Sequence, residues 1–147
     1  MPSKVKGSKV PYLGQMRSQF EKETAKLLHS KGVHYEYESY QFSYEEPLRK
    51  NRARCGDCGG TNLVRMGWYT PDFWLPKSKV FIETKGRFTA ADRRKMAAVI
   101  EANPEDRFVM LFMRDNKIHK RSQTTYTDWC RAQNIDCAIG KPKEEWL

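Results

Sequence analysis

Asp72, Glu83 and Lys85 are the side chains whose types and spacing could do chemistry together. Asp72 follows Pro71 in Tyr69-Thr70-Pro71-Asp72-Phe73-Trp74-Leu75. Ten residues separate it from Glu83, which opens Glu83-Thr84-Lys85-Gly86. Aromatic and β-branched residues dominate residues 68–75 and 79–85, so both runs read as strands. Pro76-Lys77-Ser78 between them has turn composition. Side chains alternate along a strand, so Glu83 and Lys85 share a face. Asp72 on a neighbouring strand can join them. Two carboxylates are hard oxygen donors suited to magnesium. Such an ion stabilises charge on a phosphate and helps generate hydroxide. A lysine beside it orients the attacking water or offsets growing negative charge. Those parts suffice to hydrolyse a phosphodiester. A turn aspartate and a solvated strand face would use the same residue types, so the surrounding elements have to decide.

Those elements are legible along the chain. Residues 1–14 read as a flexible basic arm, and residues 15–147 as one domain. Residues 15–31 read as a helix with Met16, Phe20, Leu27 and Leu28 on one stripe, ended by Gly32. Ser18 and Glu21 have capping-box spacing at its start. Residues 34–42 alternate, Tyr35 and Tyr37 opposite Glu36 and Glu38, and read as a strand. Residues 45–67 break the pattern. They are basic, contain glycine and carry Cys55-Gly56-Asp57-Cys58, which suggests an inserted loop or small knuckle. After the two motif strands, residues 89–102 read as a helix with Thr89 as N-cap, ended by Asn103-Pro104. Residues 107–113 form a continuous apolar run, as a strand covered on both faces would. Residues 125–133 read as a short helix and 135–139 as a last short strand. Helix, three strands, helix, strand, helix, strand predicts an α/β fold, a mixed central sheet flanked by helices.

At 147 residues the chain is long enough for one real core. Its 39% hydrophobic and 12% aromatic content excludes a disordered chain. No apolar run reaches membrane-spanning length, and the charged N-terminus lacks the apolar stretch of a signal peptide. The expected location is the cytoplasm of the cell that makes it. The net charge of +9 calls for a polyanionic partner, with nucleic acid the default. A membrane surface is disfavoured because no strongly amphipathic basic helix is present. Basic residues cluster at Lys4, Lys6 and Lys9; at Arg49, Lys50, Arg52 and Arg54; at Arg87, Arg93, Arg94 and Lys95; and at Arg114, Lys117, Lys120 and Arg121. Together they favour salt-dependent contact with a phosphate backbone. The candidates for DNA contact are Arg17 and, from these clusters, Arg49, Lys50, Arg52, Arg54, Arg87, Arg93, Arg94, Lys95, Lys120 and Arg121.

The complete string Pro71-Asp72, ten residues, Glu83-x-Lys85 resembles the PD-(D/E)xK nuclease signature. More of the chain falls into line with it. Arg17-Ser18-x-x-Glu21, Lys31-Gly32-Val33-His34-Tyr35-Glu36-Tyr37-Glu38, Tyr69-Thr70-Pro71-Asp72-Phe73, Phe81-Ile82-Glu83-Thr84-Lys85-Gly86, Asp92-Arg93-Arg94-Lys95 and Glu145-Trp146 occur in the order that resembles the phage endonuclease I family, the Holliday-junction resolvases of T-odd phages. The resemblance spans most of the chain apart from the arm and residues 45–67. It implies a phage-encoded protein with a restriction-endonuclease-like α/β fold. It implies a magnesium-dependent deoxyribonuclease, with manganese as a substitute ion, that cuts branched DNA as an entwined homodimer. The family's catalytic positions fall on Glu21, Asp72, Glu83 and Lys85, with Glu36 as a further site residue. Asp72 and Glu83 would hold the metal with the Thr84 backbone carbonyl. Glu21 would bind a second ion or a metal water, and Lys85 would position the nucleophile. On their own residues, Glu21 equally fits a helix cap and Glu36 an exposed strand position.

The chain departs from that family between Glu36 and Asp72. The family's shorter stretch there lacks the cysteines and forms the bridge through which two subunits exchange elements. Here it is extended and basic. Cys55-x-x-Cys58 resembles one knuckle of a zinc site. Cys130 and Cys137 could complete the ligand set, as could His34 or a partner subunit; free thiols in a reducing compartment are the alternative. Three functions therefore stay open: a branched-DNA endonuclease, a site-specific nicking or homing-type endonuclease on duplex DNA, and a non-catalytic zinc-containing nucleic-acid-binding module.

Overall fold

The computed structural model describes residues 3–4, 16–47, 56–57 and 64–147. Of the N-terminal arm it describes β1 (Ser3–Lys4), paired antiparallel with Tyr40 and Gln41. Helix α1 (Gln19–Ser30) begins where the extended Ser18 accepts a hydrogen bond from the Glu21 amide at 3.1 Å, as serine at an N-cap does. It buries Phe20, Ala25 and Leu28.

The single strand expected over residues 34–42 is two. β2 (Glu36–Tyr37) and β3 (Tyr40–Pro47) are parted at Glu38, whose φ is 45°. β4 (Val64–Tyr69) pairs antiparallel with β3 from Phe42–Tyr69 to Pro47–Val64. Residues 45–47 and 64–67 are thus ribbon strand rather than insert. Gly67 is no breaker here: a Cβ on it would lie 2.4 Å from Cζ of Tyr44, so the glycine lets that ring lie flat across the neighbouring strand.

The run over residues 68–75 also divides. Pro71 lacks an amide proton and biases its predecessor, and the chain bends there. β4 stays in the ribbon, while β5 (Phe73–Leu75) joins β6 (Val80–Lys85). Then follow α2 (Ala90–Ala102), β7 (Arg107–Phe112), α3 (Tyr126–Ala132) and β8 (Asp136–Ile139). Thr89 and Thr125 cap their helices in capping boxes with Asp92 and Asp128. Among the described residues there are two sheets, the ribbon sheet β1-β3-β4 and a main sheet β2-β5-β6-β7-β8. The main sheet is antiparallel from β2 to β6 and parallel from β6 to β8. This is the mixed sheet flanked by helices, consistent with a restriction-endonuclease-like fold.

Alternation along β6 and β7 feeds two cores. Val80, Ile82, Val109 and Leu111 pack with Phe20 and Leu28 of α1, Phe73 and Trp146. Phe81, Phe108, Met110 and Phe112 pack with Met96 and Val99 of α2, Tyr126 and Cys130 of α3, and Phe42, Tyr44 and Tyr69 of the ribbon. Both faces of the central strands are covered, which explains their unbroken apolar sequence. Among the described residues no helix is long and apolar enough to cross a membrane.

Candidate active site

β5 runs antiparallel to β6 with Phe73 opposite Ile82, so the residue before β5, Asp72, arrives alongside Glu83 near the C-terminal end of β6. Open α/β sheets bind ligands at the carboxyl ends of such strands. Asp72 Oδ2 accepts hydrogen bonds from the Thr84 amide at 2.8 Å and the Thr84 hydroxyl at 2.6 Å. Its backbone carbonyl accepts one from the Glu38 amide at 2.9 Å. These bonds fix Asp72 against the triplet Glu83-Thr84-Lys85. Glu83 and Lys85 share a face as expected, with Lys85 Nζ 3.2 Å from Glu83 Oε1. The Tyr69 hydroxyl donates to Glu83 Oε2 at 2.7 Å. Lys85 Nζ also lies 3.7 Å from Oδ1 of Asp92, in the first turn of α2.

The acids are held where charge is costly. Burial pushes the Asp72 carboxyl well above the usual carboxylate range, and the nearby Glu83 raises it further; the two Thr84 bonds pull against this. Glu83, only 6% exposed, is raised by burial as well, against the opposing pull of Lys85, Tyr69 and Lys95. Burial works against the Lys85 ammonium, but Glu83 and Asp92 outweigh it and lift its pKa. Two crowded carboxylates beside an amine are a donor set that fits a hard divalent cation, which would relieve both the repulsion and the desolvation. Among the described residues no three His, Cys, Asp or Glu side chains are grouped to hold a metal ion. The fit therefore rests on the Asp72–Glu83 pair.

Glu21 lies in the first turn of α1, next to the N-cap Ser18, and is buried. Its Oε1 accepts from Ser18 Oγ at 2.8 Å, and its Oε2 from the Tyr37 hydroxyl at 2.5 Å and the Arg17 amide at 3.2 Å. Its charge still reaches Asp72 as the weakest of the influences on that carboxyl. Glu36, half-buried on β2, pairs in register with Trp74, and Trp74 with Phe81. Paired residues share a face, so Glu36 lies on the same face as Glu83, two strands away.

Among the basic candidates, Arg87, Arg94, Lys120 and Arg121 are exposed. Arg17 is exposed and paired with Glu38. Arg93 donates to the Phe88 carbonyl at 2.8 Å. Half-buried Lys95 places Nζ over the Tyr69 ring, 5.4 Å from its centroid. Arg49, Lys50, Arg52, Arg54, Cys55 and Cys58 lie outside the described residues. Cys130 and Cys137 are free thiols side by side between α3 and β8; Cys130 is fully buried, and burial pushes its thiol up.

Sequence reasoning missed Tyr69, Tyr37, the Thr84 hydroxyl and Asp92 as site groups. Tyr69 stands three residues before Asp72, yet an aromatic residue in a strand signals only packing. Asp92 stands three residues after the N-cap Thr89, a spacing that marks a helix start and says nothing of Lys85.

A sequence profile described as phage endonuclease I matches residues 62–147, a span that holds Tyr69, Asp72, Glu83 and Lys85. Over 136 residues the chain is 32% identical to the protein named Endonuclease I of Escherichia phage T7, an alignment covering 92% of this chain and 80% of that protein. Over 120 residues it is 33% identical to Endodeoxyribonuclease 1 of Enterobacteria phage T3, covering 81% and 68% respectively.

Proposed function

The chain belongs to the phage endonuclease I family, and on that premise we propose that it is a DNA endonuclease that depends on a divalent cation and selects branched DNA. The observation that carries the reading is the pinning of Asp72 by Thr84 beside the Glu83–Lys85 pair. Asp72 and Glu83 are the residues that would hold magnesium or manganese. When bound, that ion supplies charge stabilisation at the scissile phosphate. Lys85 stays protonated under the influence of Glu83 and Asp92, so its ammonium can hold the attacking water or a phosphate oxygen. Glu21, fixed by Ser18 and Tyr37, adds negative charge from the α1 side of the sheet.

A homodimer is part of the proposal. Its support is an apolar row on the outer face of the ribbon, where Val64, Met66 and Trp68 are 51%, 54% and 57% exposed. Contiguous apolar surface of this kind marks contact with another molecule. The site of action would be the cytoplasm of the phage's host.

The test pairs a mobile four-way junction with a long unbranched duplex, each with magnesium. Cutting of the junction irrespective of its sequence is expected; one discrete nick or break in plain duplex would replace branch selectivity with site specificity. Asp72→Asn should lower junction cleavage by about 100-fold or more while leaving junction binding intact. Undiminished cleavage would remove Asp72 from the cation site.

A further inference from the structure

Tyr69 is the last residue of β4, where the ribbon ends, and Glu83 belongs to the main sheet. A buried phenol donating at 2.7 Å to Glu83 Oε2 joins the two. The other oxygen, Oε1, faces Lys85 at 3.2 Å. The plane of the carboxylate is thus set by contacts from two sides, Lys85 from β6 itself and the phenol from the ribbon. The phenol is held rigidly. Its backbone pairs with Phe42 of β3, its ring centroid is 6.2 Å from that of Phe108, and Lys95 Nζ lies over the ring.

Groups that hydrogen-bond a metal-binding carboxylate fix its orientation and tune its affinity. We propose that Tyr69 is a positioning residue for Glu83, so that the ribbon sets the geometry with which this carboxylate meets a divalent cation. The inference rests on the reading of Asp72 and Glu83 as cation ligands. A purely structural hydroxyl would simply use Glu83 as the acceptor that any buried phenol needs. The two differ in whether cation affinity changes when the hydroxyl is removed from a protein that still folds.

Tyr69→Phe deletes the hydroxyl and keeps the ring. Tyr44→Phe makes the same deletion elsewhere on the ribbon. Manganese binding is measured on each purified full-length protein without DNA, by calorimetry and electron paramagnetic resonance, well below its melting midpoint. Tyr69→Phe should weaken manganese binding by about 10- to 100-fold and raise the manganese needed for half-maximal cleavage by the same factor. DNA affinity in EDTA should not change, and Tyr44→Phe should bind manganese as the unaltered protein does. Manganese affinity in Tyr69→Phe equal to that of the unaltered protein overturns the proposal. Asp72→Asn separates the two levels. If it loses manganese binding while Tyr69→Phe keeps it, only the role of Tyr69 falls; if both keep it, the cation reading falls too. In the unaltered protein, magnesium should shift the ring resonances of Tyr69, and unmoved resonances at saturating magnesium also overturn the proposal.

Discussion

Asp72 and Glu83 are carboxylates in surroundings that favour their protonated forms. Burial raises both, and for Asp72 the proximity of Glu83 adds to it. An unfolded carboxyl titrates near about 4. Between that value and the raised folded value, the native chain binds more protons than the unfolded chain, so stability falls as pH rises through this window. At neutral pH without divalent cations, Asp72→Asn removes a buried ionisable group whose ionisation folding disfavours and should raise the melting midpoint. A gain of about 1 kcal/mol would appear as roughly 2–4 °C for a chain of this size. The difference between variant and unaltered protein should shrink as pH falls toward 4, and magnesium should reverse its sign. Thermal melts in EDTA at several pH values check this, and a variant less stable at every pH would show that the Thr84 bonds outweigh the repulsion. These acids were legible in sequence because Pro-Asp and Glu-x-Lys are recognisable as a string. Their hydroxyl donors were not, since Tyr69 and Tyr37 lie on other strands and meet Glu83 and Glu21 only through folding.

At the scale of elements, α2 is anchored by the Thr89–Asp92 capping box, and the same Asp92 lies near Lys85. Thr89→Ala should cost about 1 kcal/mol of stability. It should also loosen Asp92 and so lower cleavage by a small factor, measurable by chemical denaturation and single-turnover rates; a stability loss with an unaltered rate would separate the cap from the site. The ribbon offers a second test. Gly67→Ala forces a Cβ into the Tyr44 ring, and overpacking of this kind costs about 1–3 kcal/mol. Tyr44→Leu in the same chain should recover part of that loss. The first helix followed from its apolar stripe, the second from its Thr89 cap and β7 from its unbroken apolar run, because these are local signals. The strand breaks at Glu38 and Pro71 did not. Each side of the break has strand composition, and only the pairing of β3 with β4 and of β2 with β5 shows that the chain changes sheets. The end of the expected insert at residue 67 was misplaced for a related reason: the use of Gly67 depends on the Tyr44 ring, from a strand that sequence cannot place opposite it.

For the molecule as a whole, the net charge of +9 is the largest signal for DNA. Binding should weaken steeply with salt, and each lost phosphate contact should reduce the slope of log affinity against log salt by about 1. Lys120→Ala with Arg121→Ala, both exposed between β7 and α3, should lower that slope by up to about 2 in equilibrium titrations of uncut junction; an unchanged slope would place the DNA elsewhere. β2 turns into β3 at Glu38, β4 turns into β5 just before Asp72, and the Glu38 amide bonds the Asp72 carbonyl. Both rails of the ribbon therefore leave the main sheet at one fulcrum, and that fulcrum carries Asp72, the proposed cation ligand. Torque applied to the ribbon, by a bent DNA arm or a second subunit, would be felt first at Asp72, so under the proposed function grip and incision would be mechanically geared to each other.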